Sequence, residues 1–498
     1  MKDSETQVEA FPPPESVKVL RLWEMIYLGR GSFLRQAVHA AISIALRLFF
    51  RRIETSGVER VPREGAIIFV LNHPNGLVDP ALVYVSLPRR VSFLAKSTLF
   101  EIPVAGRLLR TLEVLPVYRR IDAAGDVSKN TRTFEVCREL LKRGRCIAIF
   151  PEGISHNEPK LQPIKTGAAR IALGALGVKD SKYEKGNSEE RQTLNPKAEI
   201  REPKFQIMAV GLFYTSKTTF RSEALISYGE IFEVEPVELD EKGEPPRDAV
   251  RRLTEKIESA LRNVTLNFES ERELDAVLKA EALFSSVYEN LLFKKTLTHT
   301  FLRLQNLAEK YALLERNDPE KMRALEEKIS SYENELKARG LTAESLSVLH
   351  HPTLYVFRYL ILRVVILVIL APFAFVGAIV HSPGYLFSNF IGAMFKTHGA
   401  DAAGSTYKIL AAMLFMPLTW LAVALTILYF YDWQTALFSI PAAILCGYIA
   451  LRSFETLIDL SIWIKSAWLL FRQRALFLRL LVKREALRQE IGEIIEEK

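Results

Sequence analysis

His73 and Asp79, six positions apart, form the first pair of side chains in this sequence that could carry out acid–base chemistry. They lie in the stretch FVLNHPNGLVDP, residues 69–80, where an apolar run ends in Asn-His and a Pro-Asn-Gly turn follows. A carboxylate that accepts an imidazole N–H orients the ring, so that the other ring nitrogen can act as a general base. Taken alone, such a pair is more often a turn histidine that is hydrogen-bonded without a catalytic role.

Two further polar groups also follow apolar runs. Arg119 and Arg120 end the stretch EVLPVYRR, and guanidinium groups suit the bidentate recognition of phosphate. The stretch FPEGISH supplies an acid, a flexible glycine, a hydroxyl and a second imidazole, namely Glu152, Gly153, Ser155 and His156. Each group has a plainer interpretation, as surface charge, turn chemistry or a loop residue. We do not expect Ser155 to be a covalent nucleophile, because no base stands beside it in the manner of a nucleophile elbow.

A sheet is needed to bring these side chains together, and the sequence predicts one between Gly57 and about Phe232. Short apolar runs there alternate with helical patterns, which is typical of an α/β domain, a mixed sheet flanked by helices. The predicted strands are Ala66–Leu71, Val91–Ala95, Val114–Tyr118, Cys146–Phe150, Gln206–Phe213 and Ala224–Tyr228, and the predicted helices are Thr131–Lys142 and Ile164–Leu173. In such folds ligands bind at the carboxyl ends of the strands, which is where the three polar groups occur.

Residues 57–245 are assigned to this domain, with the polar and charged stretch 179–204 as a mobile surface insertion. Residues 1–56 form a tail and an amphipathic helix, FLRQAVHAAISIALRLFF, whose arginines favour the membrane interface. Packing of this helix on the domain itself is the alternative. Residues 246–350 are strongly helical and broken at Asn317-Asp318-Pro319, which predicts a long helical hairpin. That region would serve as a scaffold, a regulatory surface or a dimer surface, so a homo-oligomer stays open.

Three long runs, residues 364–395, 409–431 and 433–451, contain no Asp, Glu, Lys or Arg. A membrane span takes about 20 apolar residues, so the second and third runs each predict one span. The first run has 32 residues, too many for one simple span and too few for two, and Ser382-Pro383-Gly384 interrupts it. We therefore expect residues 364–395 to enter and return as a broken, re-entrant hairpin, within a transmembrane region of residues 351–465. Three full spans are the competing interpretation.

Residues 466–498 predict a basic amphipathic helix. The basic residues that follow the last span are Arg472, Arg474, Arg479, Lys483 and Arg484. Basic segments beside a span favour the cytoplasmic side of the membrane. If the α/β domain is also cytoplasmic, the chain must cross the membrane an even number of times.

The chain has 498 residues and a formal net charge of +8, from 66 Lys and Arg against 58 Asp and Glu. Such a charge suits an anionic lipid, an anionic substrate or nucleic acid. Nucleic acid is disfavoured, because no basic and aromatic pattern or helix-turn-helix accompanies the charge. Cys137, Cys146 and Cys446 are too widely spaced for a disulfide framework, and no ligand cluster predicts a metal site. We expect a reducing, cytosol-facing compartment.

In their order along the chain, the stretches NHPNGLVDP, LPVYRR, FPEGISH and VGLFY resemble the four motif blocks of the glycerol-3-phosphate and lysophosphatidic acid acyltransferase superfamily. The resemblance covers residues 57–233, a little over a third of the chain. Four ordered motifs are far more specific than any one of them. The resemblance therefore implies the fold of that superfamily and an acyl-transfer site at these stretches.

The resemblance also implies a role for each site residue. His73 would be the catalytic base and Asp79 its partner. Arg119 matches the family arginine that binds the acceptor phosphate, and Glu152 and Gly153 match the block that positions the polar acceptor. Val210-Gly211-Leu212 would lie on the acyl-donor side. Beyond the resemblance, we expect Arg120 and Lys165 to help Arg119 hold the phosphate, and Ser155 and His156 to help position the acceptor.

This sequence departs from the usual family pattern in two places. Five residues separate His73 and Asp79 where the family usually has four, so the extra residue must be absorbed in the Pro74-Asn75-Gly76 turn. A subgroup that includes the fungal-type glycerol-3-phosphate/dihydroxyacetone-phosphate acyltransferases has this spacing, and FPEGISH followed by LQPIKTG is similar to theirs. The fourth block lacks the proline that is common in the family, which leaves the donor side less well defined.

The implied activity is the transfer of a fatty acyl group from an acyl thioester to the sn-1 hydroxyl of glycerol 3-phosphate, with dihydroxyacetone phosphate as a second acceptor. The thioester, on coenzyme A or on acyl carrier protein, is a co-substrate, and no cofactor is implied. Expected partners are the lipid bilayer, the thioester and the acceptor. The active site would face the cytoplasm at a bacterial inner membrane or an endoplasmic reticulum. A lysophospholipid acyltransferase that makes phosphatidate and a non-catalytic lipid-binding membrane protein stay as alternatives.

Overall fold

The computed structural model describes residues 17–29, 31–119, 127–179, 205–284, 296–341, 353–394 and 401–496. The chain divides into two compact units. We call them the α/β unit, which contains Pro14–Leu266 and Thr397–Thr406, and the helical unit, which contains Asn267–Lys396 and Tyr407–Lys498. The predicted insertion 179–204 lies outside the described residues from position 180 onward.

The α/β unit is built on an eight-stranded mixed sheet in the order β1-β2-β9-β8-β3-β6-β4-β5. Its strands are β1 Val17–Val19, β2 Arg52–Ser56, β3 Ala66–Leu71, β4 Val91–Lys96, β5 Leu115–Val117, β6 Cys146–Ile149, β8 Phe205–Tyr214 and β9 Glu223–Glu233. A separate parallel pair joins β7 Val178–Lys179 to β10 Glu238–Leu239. The predicted mixed sheet and all six predicted strands are confirmed.

Five adjacent strands, β8, β3, β6, β4 and β5, run parallel to one another. Parallel strands place all their carboxyl ends at one edge of the sheet. All six residues of β3, Ala66–Leu71, are buried, because helices cover both faces of a parallel sheet. The polar groups that follow β3, β5 and β6 in sequence are therefore delivered to the same edge.

The helices of the α/β unit are α1 Leu22–Tyr27, α2 Phe33–Phe49, α3 Val78–Ser86, α4 Pro103–Thr111, α5 Asn130–Lys142, α6 Gly167–Leu176 and α7 Arg247–Val264. On one face of the sheet, α5, α6 and α7 form a single apolar core with alternate residues of β3, β6 and β8. The predicted helices between the strands are confirmed as α5 and α6, the second beginning three residues later than predicted.

Both predicted boundaries of the α/β domain, 57 and 245, are wrong. On the amino side, β1 and β2 belong to the sheet, since β2 pairs with β9 and β1 pairs with β2. On the carboxyl side, α7 packs in the core, where Leu253, Ile257 and Leu261 are buried against the sheet. Pro245-Pro246 suggested a domain boundary, but the apolar stripe of α7 is buried by the sheet that precedes it.

The helical unit begins with α8 Glu271–Phe284, α9 Leu297–Asn317 and α10 Pro319–Lys337. The predicted break is confirmed, since α9 ends at Asn317 and the Asp318 side chain accepts a hydrogen bond from Lys321 N at 2.9 Å to cap α10. The predicted two-helix hairpin is incomplete, because α8 packs against both helices as a third member.

The carboxyl-terminal helix, α14 Arg474–Glu496, packs on the same three helices. Its residues Phe477, Leu480 and Ile491 are buried. The buried guanidinium of Arg484 donates to the carbonyl of Leu283 at 2.8 and 3.0 Å. The predicted basic helix is therefore present, but it is a packed member of the helical unit.

In the part of the chain that the structure describes, three helices are long and apolar enough to cross a membrane: α11 Thr353–Met394, α12 Asp401–Phe430 and α13 Trp433–Arg472. Their apolar segments are Leu360–Met394, Gly404–Phe430 and Trp433–Ser461. The last two correspond to the predicted spans 409–431 and 433–451. The first of these predictions began five residues too late, and the second ended ten residues too early. The Asp432 side chain accepts from Thr435 N at 2.8 Å and caps the start of α13. The chain is a membrane protein.

The predicted broken hairpin at 364–395 is wrong, because α11 is one continuous helix with Pro372 and Pro383 inside it. Pro383 has no N–H for the carbonyl of Ile379, four residues earlier. The hydroxyl of Ser382 donates to that carbonyl at 2.9 Å instead. Serine side chains can satisfy the carbonyl that a proline leaves open in a membrane helix, so Ser382-Pro383 does not break this one.

Candidate active site

His73 and Asp79 meet at the carboxyl end of β3. Asp79 is the second residue of α3, and its Oδ2 lies 2.8 Å from His73 Nδ1. The Asp79 side chain is fully buried, whereas 19% of the His73 side chain is exposed. The imidazole stacks on the ring of Phe150, with centroids 4.1 Å apart. Because the carboxylate accepts from Nδ1–H, the lone pair of Nε2 is left to act on a substrate.

The carboxylate of Asp79 accepts two more hydrogen bonds. Asn75 N donates to Oδ2 at 2.7 Å, and the hydroxyl of Tyr214 donates to Oδ1 at 2.6 Å. Burial raises the pKa of Tyr214 well above its usual value, and the negative charge of Asp79 raises it further. The phenol is therefore a stable donor, and donors of this kind stabilise a buried ionised carboxylate.

The Pro74-Asn75-Gly76 turn takes up the extra residue between His73 and Asp79. Gly76 has φ of 52°, a left-handed conformation that glycine adopts readily. Its N–H donates to Ser155 Oγ at 3.0 Å, which ties the turn to the FPEGISH stretch. The five-residue spacing is thus compatible with a direct His73–Asp79 hydrogen bond.

Glu152 lies beneath the site with a fully buried side chain. Its Oε1 accepts from His73 N at 2.9 Å, and its Oε2 accepts from Gln162 N at 2.8 Å and contacts His156 Nε2 at 2.5 Å. Both oxygens are used by the protein's own donors. Glu152 therefore shapes the site through the backbone of His73 and the loop that carries His156.

Two cationic side chains converge on Gly153. Arg119 donates from its guanidinium to the Gly153 carbonyl at 3.1 Å. Gly153 has φ of 71°, and a Cβ there would lie 2.3 Å from Nζ of Lys165, whose side chain is exposed. Arg119 and Lys165 thus form a positive pair suited to a phosphate. Arg120 lies outside the described residues.

Ser155 and His156 hold loops together. Ser155 accepts from Gly76 N, as described above, and His156 N donates to the carbonyl of His73 at 3.3 Å. The two stretches that carry His73 and Glu152 are therefore linked by backbone and side-chain hydrogen bonds. Among the described residues, no group of three or more His, Cys, Asp or Glu side chains could hold a metal ion.

The sequence assigned no role to four residues of the site. Asn72 pairs its side-chain amide with the backbone of Leu212, donating at 3.1 Å and accepting at 2.8 Å, which links the ends of β3 and β8. The others are Tyr214, Lys217 and Thr406. Asn72 and Tyr214 lie within the motif stretches NHPNGLVDP and VGLFY, which was the available hint. Thr406 lies in the predicted membrane region, where nothing pointed to the site.

Two family models match this chain, one within the α/β unit and one largely within the helical unit. The family model described as Acyltransferase matches residues 52–181, and the model described as Glycerol-3-phosphate acyltransferase 2 C-terminal domain matches residues 286–498. Together these two matches span more than half of the chain. The first contains His73, Asp79, Arg119 and Glu152, and the second contains all three apolar helices.

Several curated relatives come from yeasts. An uncharacterized acyltransferase of Schizosaccharomyces pombe is 24% identical over 78% of this chain and 68% of its own length. Glycerol-3-phosphate O-acyltransferases 2 and 1 of Saccharomyces cerevisiae are each 25% identical, over 60% and 77% of this chain. This chain covers only 38% and 59% of the lengths of those two enzymes. The family matches agree with the four motif blocks, and the chain is similar to the glycerol-3-phosphate and 1-acylglycerol-3-phosphate acyltransferase superfamily in both matched regions.

Proposed function

We propose that this protein is a membrane-bound O-acyltransferase that transfers a fatty acyl group from an acyl thioester to the sn-1 hydroxyl of glycerol 3-phosphate, making lysophosphatidate. The observation that carries the proposal is the His73–Asp79 hydrogen bond of 2.8 Å at the same sheet edge as the Arg119–Lys165 cation pair. A base and a phosphate site at one edge suit an acceptor that has both a hydroxyl and a phosphate. The names of the yeast relatives and the C-terminal family match support glycerol 3-phosphate as that acceptor.

In the proposed reaction, Nε2 of His73 removes the proton from the acceptor hydroxyl, and the oxygen attacks the thioester carbonyl. Asp79 stabilises the imidazolium that forms. When the tetrahedral intermediate collapses, the C–S bond breaks and the imidazolium returns its proton to the departing thiolate. The products are the ester and the free thiol. No acyl-enzyme is formed, which agrees with the use of Ser155 Oγ as a hydrogen-bond acceptor for Gly76 N.

Arg119 and Lys165, with Arg120, would hold the acceptor phosphate. Fixing the phosphate places the hydroxyl near Nε2, and such positioning supplies much of the rate enhancement in a two-substrate reaction. The thioester is a co-substrate on coenzyme A or on acyl carrier protein, and the reaction needs no further cofactor. Dihydroxyacetone phosphate has the same two groups and is a second candidate acceptor.

The α/β unit would act at the cytoplasmic surface of the membrane. Helix α2 packs on the unit through Arg35, His39 and Leu46, which are buried, while Phe33 and Leu34 on its outer surface are exposed. A helix with one packed face and one exposed apolar face suits the membrane interface. The basic residues after the last apolar segment favour a cytoplasmic orientation.

The acceptor is tested with purified protein in lipid nanodiscs and a labelled acyl-coenzyme A. Glycerol 3-phosphate, dihydroxyacetone phosphate and lysophosphatidate are offered in separate reactions. We expect labelled lysophosphatidate from the first. Labelled phosphatidate from the third alone would replace the proposal with the lysophospholipid alternative, and no product from any would favour a non-catalytic lipid-binding protein.

The His73→Ala variant tests the mechanism within the same assay. We expect no detectable transfer and a thermal unfolding midpoint close to that of the wild type, because the imidazole is 19% exposed and lies at the surface of the site. The matched control is His299→Ala in α9 of the helical unit, which should keep full activity. Retained turnover in His73→Ala would overturn the mechanism.

A further inference from the structure

The first six residues of the apolar helix α12, Asp401–Thr406, belong to the α/β unit. Residues Thr397–Thr406 group with the sheet and its helices, and the chain from Tyr407 onward groups with the helical unit. The apolar segment of α12 begins at Gly404. The change of unit therefore occurs at the point where this helix becomes a membrane span.

Two hydroxyl groups of this segment are buried against residues 74–77, the turn between His73 and Asp79 that we call the catalytic turn. Thr406 Oγ1 accepts a hydrogen bond from Leu77 N at 3.2 Å, and the Ser405 hydroxyl donates to the carbonyl of Lys217. That carbonyl also accepts from Asn75 Nδ2 at 3.3 Å. Ser405 is fully buried and Thr406 is 8% exposed. The contact from Thr406 to Leu77 joins residues 329 positions apart.

The amide that Thr406 satisfies is at the start of α3. Leu77 is the N-cap residue of that helix, and its side chain provides no capping hydrogen bond. Amides at a helix start have no partner within the helix and need one from outside. Asp79 is only two residues further on, and His73 is four residues before. A shift of Leu77 would therefore change the angle at which Asp79 meets His73 Nδ1.

The backbone amides between His73 and Asp79 explain the importance of this contact. Five residues separate the two side chains, and the amides of Asn75, Gly76 and Leu77 in this turn each need a hydrogen-bond partner. Within the described residues, the partners of the turn's backbone amides are Ser155 for Gly76 N, Asp79 for Asn75 N and Thr406 for Leu77 N. Two of the three come from the motif stretches, and the third comes from α12.

We propose that Thr406 is a positioning residue for His73: the start of α12, through Thr406, braces residues 74–77 and holds Asp79 at hydrogen-bond distance from the imidazole. The catalytic turn is thereby attached to the end of a membrane helix. This inference rests on the proposed acyl transfer for its kinetic test, and it has a second test that needs no activity.

The kinetic test compares substitutions in the full-length protein in nanodiscs. Thr406→Val keeps the branched shape and removes the acceptor, and we expect kcat to fall about tenfold, the effect of one lost hydrogen bond. KM for glycerol 3-phosphate should change less than about twofold, since the cation pair at Gly153 is untouched. Thr406→Ser keeps the hydroxyl and should restore kcat to near the wild-type value.

The matched control is Thr426→Val on the same helix. The Thr426 hydroxyl donates to the carbonyl of Ala422, within α12, at 2.8 Å, and its side chain is exposed. The substitution is chemically identical but far along the helix from the catalytic turn. We expect wild-type kcat. An equal loss of kcat in Thr406→Val and Thr426→Val would overturn the proposal, because the effect would then be one on the membrane helix in general.

The second test measures hydrogen–deuterium exchange of a peptide covering residues 74–80. We expect faster exchange in Thr406→Val than in the wild type, Thr406→Ser or Thr426→Val. If the wild type transfers no acyl group to any acceptor while Thr406→Val still exchanges faster, the brace stands and the proposed function falls. If the wild type is active while Thr406→Val has unchanged exchange and unchanged kcat, the brace falls and the proposed function stands.

Discussion

The hydroxyl of Tyr214, the last residue of β8, donates a hydrogen bond of 2.6 Å to Oδ1 of Asp79, while Oδ2 of the same carboxylate contacts His73. Tyr214 and Asp79 are 135 positions apart in the chain. Both are buried, so water does not compete for the carboxylate. The fourth motif block, expected on the acyl-donor side, therefore also contributes a hydrogen bond that supports the His73–Asp79 pair.

Tyr214→Phe should lower kcat about tenfold or more, because it removes a hydrogen bond to a buried charged group, which contributes about 1.5–3 kcal/mol. KM for glycerol 3-phosphate should change little. The matched control is Tyr228→Phe on β9, another buried phenol, whose hydroxyl contacts Ser86 Oγ at 2.7 Å. Both variants should lose stability in chemical denaturation. Equal losses of kcat in the two variants would contradict a specific role for Tyr214.

The stability of the protein above about pH 10 should depend on Tyr214. Burial and, second, the charge of Asp79 raise the pKa of this phenol well above its usual value. The unfolded chain loses the phenolic proton near pH 10, whereas the folded chain keeps it. The stabilisation from Tyr214 is therefore full below about pH 10 and declines as the pH rises further. Denaturant titrations between about pH 8 and 11 should show a steeper decline for the wild type than for Tyr214→Phe; parallel curves would contradict this.

Glu152→Gln should act on kcat and not on acceptor binding. An amide in place of the carboxylate puts an N–H₂ group against one of the donors His73 N, Gln162 N or His156, so one hydrogen bond is lost and two donors oppose each other. We expect kcat to fall at least about tenfold and the free energy of unfolding to fall by about 2 kcal/mol. Glu158→Gln, an exposed residue of the same loop, is the control. A raised KM with normal kcat would instead indicate direct contact with the acceptor.

Arg119→Ala should raise KM for glycerol 3-phosphate by about 10- to 100-fold, since a charge-assisted hydrogen bond contributes about 1.5–3 kcal/mol. The change in kcat should be smaller, because His73 and Asp79 keep their geometry. Arg143→Ala, an exposed arginine that pairs only with Glu139 at 3.5 Å among the ion pairs described, should leave KM unchanged. Steady-state rates against glycerol 3-phosphate concentration distinguish the two. An unchanged KM in Arg119→Ala would move the phosphate site elsewhere.

The two segments that flank the three apolar helices should lie on the same side of the membrane. Glu335 of α10, before the apolar helices, pairs with Arg479 and with Lys483 Nζ at 2.8 Å on α14, after them. Lys328 of α10 likewise pairs with Glu490 at 2.7 Å. An odd number of complete crossings would separate these partners, so we expect two of the three helices to cross completely.

Epitope tags test this arrangement. One tag is inserted at Gly340, an exposed residue after α10, and a second follows Lys498. Each tagged protein is placed in its own preparation of sealed vesicles in which all molecules have the same orientation. Both tags should be accessible from the same side of the vesicle membrane. Accessibility from opposite sides would contradict the arrangement. The internal control is a third tag in the short connection between α12 and α13, next to Asp432. This tag should be accessible from the opposite side.

Much of the site followed from local sequence. An apolar run that ends in a polar pair predicts a strand end, and this located His73, Arg119 and Glu152 at one sheet edge. The pairing of His73 with Asp79 was an expectation from their closeness in the chain, and the resemblance to the acyltransferase motif blocks supported it. The roles assigned to these residues stay predictions until the kinetic tests are done.

The membrane region shows where local patterns misled. Ser382-Pro383-Gly384 contains the residues that most often end helices, so a break was predicted. The hydroxyl of Ser382 replaces the missing donor at the Ile379 carbonyl, and α11 continues. Likewise, Pro245-Pro246 suggested a domain boundary, but the apolar stripe of α7 completes the core of the sheet.

The α/β class, the strands, the apolar segments and the polar groups at the strand ends could all be predicted from the linear chain, because they depend on the types and spacing of neighbouring residues. The distant groups that support the catalytic pair became visible in the folded chain alone. Tyr214 reaches Asp79 across 135 positions and Thr406 reaches Leu77 across 329. Such contacts depend on the order of the strands in the sheet and on the packing of the first residues of α12 within the α/β unit. A linear pattern of residue types contains neither.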